Sequence, residues 1–435
     1  MKKKDLAQNV VRQLRDRGFE AYFAGGSVRD RVMGRVPEDF DIATSARPEE
    51  VQKLFDKTVP VGIQFGVILV VVEGFTFEVA TFRSEGAYSD GRRPDTVAFT
   101  SAKEDALRRD FTVNGLFYDP LSQELHDFVE GKNDIEAKRI RTIGDPEKRF
   151  EEDKLRLLRA VRFASTLSFD IEPKTFEAIK RLAPKIHVVS QERIRDELIK
   201  IFTRPGAPRG LALLSESRLL EEILPEVEAM KGVAQPKEFH PEGDVFVHTK
   251  LLLEKLDHPS LVLAFAALLH DVGKPLTYEV KDRIRFNGHA EVGAELGEKI
   301  LTRLRFPNAL KEQIVICIQG HMRFKEVQNM RPGRLKRLLQ RETFPDELEL
   351  HHIDCASSHG NLENWEFLKK KTEELSEEDI KPKRLLTGED LMSLGFKEGP
   401  LLGKMLSQIY DLQLEGELAS KEAALSWVKT HYPLE

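Results

Sequence analysis

Two aspartates one residue apart, Asp39 and Asp41 around Phe40, follow a glycine turn, Gly25-Gly26-Ser27-Val28-Arg29-Asp30. Residues i and i+2 of a strand share a face. A strand over 38–43 would therefore turn both carboxylates to one side as hard oxygen ligands, the donor type Mg²⁺ takes when it holds a triphosphate. Gly25 and Gly26 follow the apolar run Ala21-Tyr22-Phe23-Ala24 and open a short helical stretch. A glycine turn at a helix N-terminus offers backbone N–H groups to phosphate, and Arg29, one turn on, adds a charge-assisted clamp. Singly, each feature is ordinary: Gly-Gly is commonly a turn, and Asp-x-Asp a solvated strand end. Together they are the apparatus of metal-dependent nucleotidyl transfer.

A second set of chemistry-bearing residues runs through the later chain: His248, His270-Asp271, His289, His321 and Asp354. The string Leu268-Leu269-His270-Asp271-Val272-Gly273-Lys274-Pro275 reads as an apolar helix ending in the His-Asp pair, with Gly-Lys-Pro breaking it. A lone buried His is more often structural than a ligand, but an ordered series of this kind points to metal. Neutral imidazoles and carboxylates suit Mn, Fe, Ni or Zn, which turn bound water into a hydroxide for attack on phosphoesters. His351, His352 and His359 surround Asp354 and leave the partner at that end open.

The elements that must position these groups change character along the chain. Leu6, Val10, Val11 and Leu14 have helical spacing over 5–17, with Gly18 as the stop. Strand patterns follow at 20–24, 38–43, 67–73 and 75–82, the last two flanking a Glu73-Gly74 turn, and helices fall near 28–33 and 48–55. From about 141 strand signals nearly vanish, and prolines punctuate long helical patterns. The expected fold class is α+β: a mixed-sheet head to about 140, an all-α neck and RNA-binding region over 141–230, a metal-binding body over 231–375 and a helical tail over 376–435. At 435 residues the chain is too long for one core. No apolar run approaches a membrane span, and Met1-Lys2-Lys3-Lys4-Asp5 leads into an amphipathic helix rather than a signal peptide. The only cysteines, Cys317 and Cys355, make neither a disulfide scaffold nor a cysteine-rich zinc site, so a cytoplasmic location is expected. A net charge of −6 argues mildly against nucleic acid, yet phosphate binding depends on local patches. One such patch holds Arg331, Arg334, Lys336, Arg337 and Arg341, with a solvated helix face as the plain alternative.

The glycine turn and paired aspartates, in this order and spacing, resemble the signature of the tRNA nucleotidyltransferase and poly(A) polymerase family, a branch of the polymerase-β-like superfamily. Leu107-Arg108-Arg109-Asp110-Phe111-Thr112-Val113-Asn114 is similar to its second signature. The resemblance gives Arg109 to phosphate and Asp110 and Asn114 to the ribose; Gly115 stands where the family commonly has Ala. Glu78, on the strand Phe77–Arg83, is the positional candidate for a third acid. Residues 83–94 resemble the loop by which CCA-adding enzymes switch from CTP to ATP, at a length unlike enzymes that add only cytidines.

The third signature matches Glu151–Phe163, read as one helix, on which Asp153 and Arg156 lie at i,i+3 and face one side. An ionised Asp only accepts hydrogen bonds and an Arg only donates. Cytosine and adenine each offer an amino donor beside a ring acceptor, whereas guanine and uracil present the reverse, so one Asp–Arg pair would admit C and A alone. Arg159 and Arg162, each a turn further, would reach triphosphate or RNA. Gln191–Leu198 resembles the neck motif, where helix stabilisation is the default. The histidine series resembles the HD phosphohydrolase superfamily.

The expectation is a class II bacterial CCA-adding type of enzyme with a C-terminal HD domain, taking CTP, ATP and tRNA, with Gly26, Arg29 and Arg109 on the triphosphate. Its rivals are an A-adding enzyme working with a CC-adding partner, a poly(A) polymerase, and an HD phosphohydrolase whose head merely binds nucleotide or RNA. Val61–Val67 lacks the basic stretch that marks the poly(A) branch. The sequence sets no oligomeric state.

Overall fold

Short runs of β-branched and aromatic residues build one mixed sheet near the start of the chain. The structure is a computed structural model that describes residues 2–86, 96–236, 238 and 240–433. It divides into two compact units, 1–228 and 229–435. In the first unit the sheet strands are β1 (Ala21–Ala24), β2 (Asp41–Thr44), β3 (Thr58–Gly62), β4 (Val67–Val72), β5 (Phe75–Thr81), β6 (Leu116–Asp119) and β7 (Glu124–Asp127), ordered β3-β4-β5-β2-β1-β6-β7. β2 runs parallel to β5, and the remaining neighbours are antiparallel. Glu73 and Gly74 both have positive φ, the backbone of a two-residue hairpin turn between β4 and β5. The edge strand β3 carries Pro60, shifts register between Val59 and Gly62, and leaves Val59 and Val61 exposed.

The helix Lys2–Asp16 covers the sheet with Leu6, Ala7, Val10, Val11 and Leu14, all buried. A two-stranded ribbon, Arg83–Glu85 with Val97–Phe99, brackets residues 87–95, so most of the loop expected at 83–94 lies outside the described residues. The neck is built around the helix Leu155–Leu167, which packs against Gln191–Phe202 and Ala207–Glu216. At Gly206 the backbone takes φ +93°, and a Cβ there would stand 2.2 Å from the Ser165 carbonyl oxygen.

Two expectations need correction. The strand expected at 38–43 begins only at Asp41, so Asp39 lies in the irregular segment before it. The single helix expected over 151–163 is broken at Asp153, whose φ of −145° and ψ of 108° separate Pro146–Glu152 from Leu155–Leu167. The cause is local: the Asp153 carboxylate accepts the Leu155 N–H at 3.0 Å, a side-chain bond that competes with helix continuation.

The second unit is almost wholly helical. Val245–Glu254, Leu261–Leu269, His289–Arg303, Asn308–Gly320 and Phe344–Ser357 form its histidine-bearing core. Leu386, Leu391, Met405, Ile409, Ala424 and Val428 form a further apolar cluster in the tail. Among the described residues no helix is long and apolar enough to cross a membrane.

Candidate functional site

The first unit holds a cavity of about 640 Å³ at the β1–β2–β5 face, where the sheet meets the neck. Its wall includes Gly26, Arg29, Asp41, Glu78, Arg109, Asp110, Asn114, Asp153, Arg156, Arg159 and Arg162. The parallel register sets Ile42 opposite Val79, which brings the preceding residues, Asp41 and Glu78, side by side on one face. Both side chains are solvent-exposed at the mouth of the cavity, with protein close enough to strip part of their hydration. Burial raises the Asp41 carboxyl, with Arg109 opposing and Asp39 assisting; burial and the Asp41 charge raise Glu78. Two carboxylates held in this way favour a cation between them. Asp39 is not in the cavity wall: its exposed carboxylate takes Lys3 Nζ at 2.6 Å.

Gly25 takes φ +67° ahead of the helix Gly26–Val32, and a Cβ there would lie 3.4 Å from Arg109 Nη1 and 3.7 Å from Asp41 Oδ2. The turn therefore brings bare backbone to the acids and the guanidinium. Arg29 donates to Asn114 Oδ1 at 2.9 Å and to Asp30 at 2.8 and 2.9 Å. Arg109 is held by the buried Asp105 at 3.0 and 3.2 Å and by the Asn114 carbonyl at 3.2 Å. Asp110 accepts from Phe111 N–H at 2.8 Å and from Arg159 Nε at 2.7 Å. Burial would raise Asp110, but Arg159 prevails and holds its carboxyl down at about 2. The guanidiniums of Arg29, Arg159 and Arg162 all sit over the Phe163 ring, at 5.5, 5.3 and 4.0 Å. Gly115 packs against Val129 and Ile143, where an alanine methyl would stand 2.7 Å from Val129 Cγ2.

Asp153 and Arg156 share the cavity wall but not one helix. Arg156 donates to the Arg149 carbonyl at 2.8 Å and pairs with Glu152. Asp153 is gripped by Arg193, at 2.7 and 3.2 Å. Arg162 pairs with the buried Glu197. Arg193 comes from the neck string to which sequence reading gives only helix stabilisation. Its partner lies 40 positions away, and no local pattern signals it.

In the second unit three histidines share one device. His270, His289 and His321 each donate Nδ1–H to the carbonyl three residues earlier, Ala267, Phe286 and Ile318, at 3.0, 2.8 and 2.7 Å. A carbonyl only accepts, so each ring's Nε2 is left as the ligand atom. These atoms surround Asp271, with His270 Nε2 at 3.2, His289 at 3.7 and His321 at 3.9 Å. Among the described residues, His270 Nε2 is buried without a hydrogen-bond partner. His248 Nε2 lies 3.0 Å from Asp354 Oδ1, while Glu242 takes its Nδ1 at 2.7 Å. Burial would lower His248, but the bonds to Asp354 and Glu242 push it up to about 9. The ligand atoms of His248, His270 and Asp354, and those of Asp271, His289 and His321, lie within 4.8 Å of one another inside each trio. An orphaned ring nitrogen and two nitrogen–oxygen trios fit one or two divalent metals. His351, His352 and His359 have other neighbours: Cys355, Trp365 and the Asn361 N–H.

The basic stretch divides. Arg331 and Arg334 are exposed on and beside the helix Pro332–Leu339, and Lys336 is half-buried. Arg337 is committed to Asp411, and Arg341 turns inward onto the fully buried Glu347 at 3.1 Å.

Comparison with known proteins places this geometry. The poly A polymerase head domain matches residues 21–141, the probable RNA and SrmB-binding site of polymerase A matches 168–231, and the HD domain matches 244–379. A CCA-adding enzyme of Lactobacillus johnsonii is 31% identical over 96% of this chain and 94% of that protein. The chain belongs to the family of CCA-adding enzymes. Another family member, from Lactobacillus helveticus, is 44% identical over 53% of this chain and 57% of its own length. With such relatives the chain matches about half their length. The solved Bacillus stearothermophilus CCA-adding enzyme in complex with CTP is 28% identical, with a TM-score of 0.74 over 98% of this chain and 97% of that one. The Thermotoga maritima CCA-adding enzyme complexed with tRNA shares the fold, at 19% identity and a TM-score of 0.60 over 99% and 95%. Within the CCA-adding family frame, the residues sequence reading misses are those that orient others: Asp105 behind Arg109, Arg193 behind Asp153, Glu197 behind Arg162 and Glu242 behind His248.

Proposed function

We propose that the chain is a template-independent tRNA nucleotidyltransferase that builds CCA on tRNA 3′ ends from CTP and ATP. The observation carrying this reading is one cavity in which two strand carboxylates, a glycine turn, several guanidiniums and the Asp153–Arg156 wall face one another. The CTP complex of the Bacillus stearothermophilus relative supports it. In the reaction the RNA 3′-oxygen bonds to the α-phosphorus of the nucleotide, the bond from that phosphorus to the bridging oxygen breaks, and pyrophosphate leaves. Asp41 and Glu78, joined by Asp39 once it releases Lys3, are the residues that would hold Mg²⁺. When bound, this ion supplies positive charge to the triphosphate and acidity to the attacking hydroxyl.

The chain's own groups do the rest. The turn at Gly25-Gly26, with Arg29 and Arg109, orients phosphates; Asp105 keeps Arg109 aimed before the nucleotide arrives. Asp110 and Asn114 offer hydrogen bonds to the ribose by exchanging present partners. Asp153 accepts the base's amino group and Arg156 donates to its ring nitrogen, so guanine and uracil would leave both unpaired. In this reading the head over 1–140 performs transfer, the neck over 141–230 selects the base, and the body over 231–375 and tail over 376–435 hold RNA, with Arg331, Arg334 and Lys336 as phosphate contacts. Arg337 and Arg341 serve the structure. A cytoplasmic location suits these substrates.

A second activity has its own observation, the Nδ1-locked histidines around Asp271. We propose that they hold Mn, Fe, Ni or Zn and support phosphoester hydrolysis.

The test is extension of tRNA transcripts ending before CCA, after one C and after both Cs, with CTP, ATP, both, or GTP and UTP. CCA addition to the shortest transcript supports the proposal. A single A on the CC end alone would make it an A-adding enzyme, and long A tails on any RNA a poly(A) polymerase. His270→Ala with Asp271→Ala should remove phosphatase activity and spare nucleotide addition; unchanged phosphatase activity would overturn the second assignment.

A further inference from the structure

Asp153 stands at a break between two helices, where its carbonyl accepts the Arg156 N–H at 3.0 Å. Its carboxylate is also tightly specified. Oδ1 accepts the Leu155 N–H at 3.0 Å and Arg193 Nη1 at 3.2 Å, and Oδ2 accepts Arg193 Nη2 at 2.7 Å. A carboxylate has about four lone-pair positions. Among the described residues three are filled, which leaves one on Oδ2. Cytosine and adenine each bring one amino group to this wall, so donor and vacant acceptor match one to one.

The grip is braced. Arg193 and Glu197 lie four residues apart on the helix Gln191–Phe202, on one face. Glu197 is buried, holds Arg162, and takes Lys200 at 3.2 Å. The Arg193–Asp153 pair is itself largely shielded, at 23% and 15% side-chain exposure, and lines the same cavity as Arg156. A planar guanidinium meeting a carboxylate edge-on fixes the plane of that carboxylate, which a lysine ammonium does not.

We infer that Arg193 is a positioning residue for base selection, holding Asp153 in the orientation from which it accepts the amino group of cytosine or adenine. This rests on the nucleotide-adding reading of the cavity. With the fork in place, a uracil or guanine carbonyl meets the Oδ2 lone pair and is repelled. Without it, the carboxylate rotates about its terminal torsion and the rejection weakens. In the contrary arrangement Arg193 is a placeholder that the base displaces, and removing it would tighten binding.

The test measures kcat and KM for CTP, ATP and UTP on the appropriate tRNA transcripts with the full chain, Arg193→Met and Arg193→Lys. Arg193→Met should raise KM for CTP and cut the CTP:UTP ratio of kcat/KM by about 10-fold or more. Arg193→Lys should recover part of that ratio. The ratio is internal to each preparation, so partial unfolding does not move it. An unchanged ratio in either variant, or a lower KM for CTP, overturns the assignment while leaving the nucleotide-adding reading intact. A wild-type chain that adds no nucleotide overturns both.

Discussion

Asp41 and Glu78 sit next to each other on the sheet although burial raises both carboxyls, and such an arrangement persists where a cation is part of the working state. Asp41→Asn should lower nucleotide addition at least about 100-fold in a primer-extension assay, because one anionic ligand is lost without a change of shape. Asp110 gives a pH dependence of known sign. Its carboxyl, ordinarily at 3.8, stands at about 2 in the folded chain, so its ion pair with Arg159 stabilises fully above 3.8 and is lost as pH falls from there through about 2. The contribution is roughly 2 kcal/mol. Thermal melts of wild type and Asp110→Asn should therefore differ at pH 7 and converge toward pH 2.5. Glu242 offers a third check. It fixes His248 through Nδ1, and carboxylates behind ligating histidines contribute about 10–100-fold to metal affinity, so calorimetry of Glu242→Gln with Mn²⁺ or Ni²⁺ should read a loss of that size.

At the scale of elements, the helix Leu155–Leu167 carries Arg156 of the cavity wall into the neck, and its C-terminal turn rests against Gly206. Gly206→Ala meets both an unfavourable positive φ and the Ser165 carbonyl, and should cost more than about 1 kcal/mol, read as a lower Tm. Here the limits of sequence reading become physical. The Gly25-Gly26 turn, Asp41 and the HD histidines are legible because residue type and order carry their chemistry. The unbroken apolar run Val67–Val72, the Glu73-Gly74 turn and the apolar strand pattern of Phe75–Thr81 make the β4–β5 hairpin legible too. The break at Asp153 is not, since Glu151–Phe163 has strong helical composition and a single side-chain bond to the Leu155 N–H overrides it. Nor are the partners of Asp39 and Asp153, which stand 36 and 40 positions away at Lys3 and Arg193. Arg341 shows the same limit: its charge suggests solvent or phosphate, but the fold sends it to the buried Glu347.

At the scale of the molecule, each unit gathers its own acids and its own donors, so variants at one set of residues should leave the other's chemistry measurable. The sheet of the first unit has one more consequence, for how copies of the chain behave at high concentration. An edge strand is a template for intermolecular pairing and amyloid-like growth. β3 has apolar side chains exposed at Val59 and Val61, yet Pro60 removes a backbone donor between them and the register slips before Gly62. Pro60 thus withholds one of the donors that such pairing needs. Pro60→Val should leave the Tm nearly unchanged while raising light scattering and dye-detected aggregation on prolonged incubation. A variant that stays as clear as wild type would show that the slipped register alone is a sufficient guard.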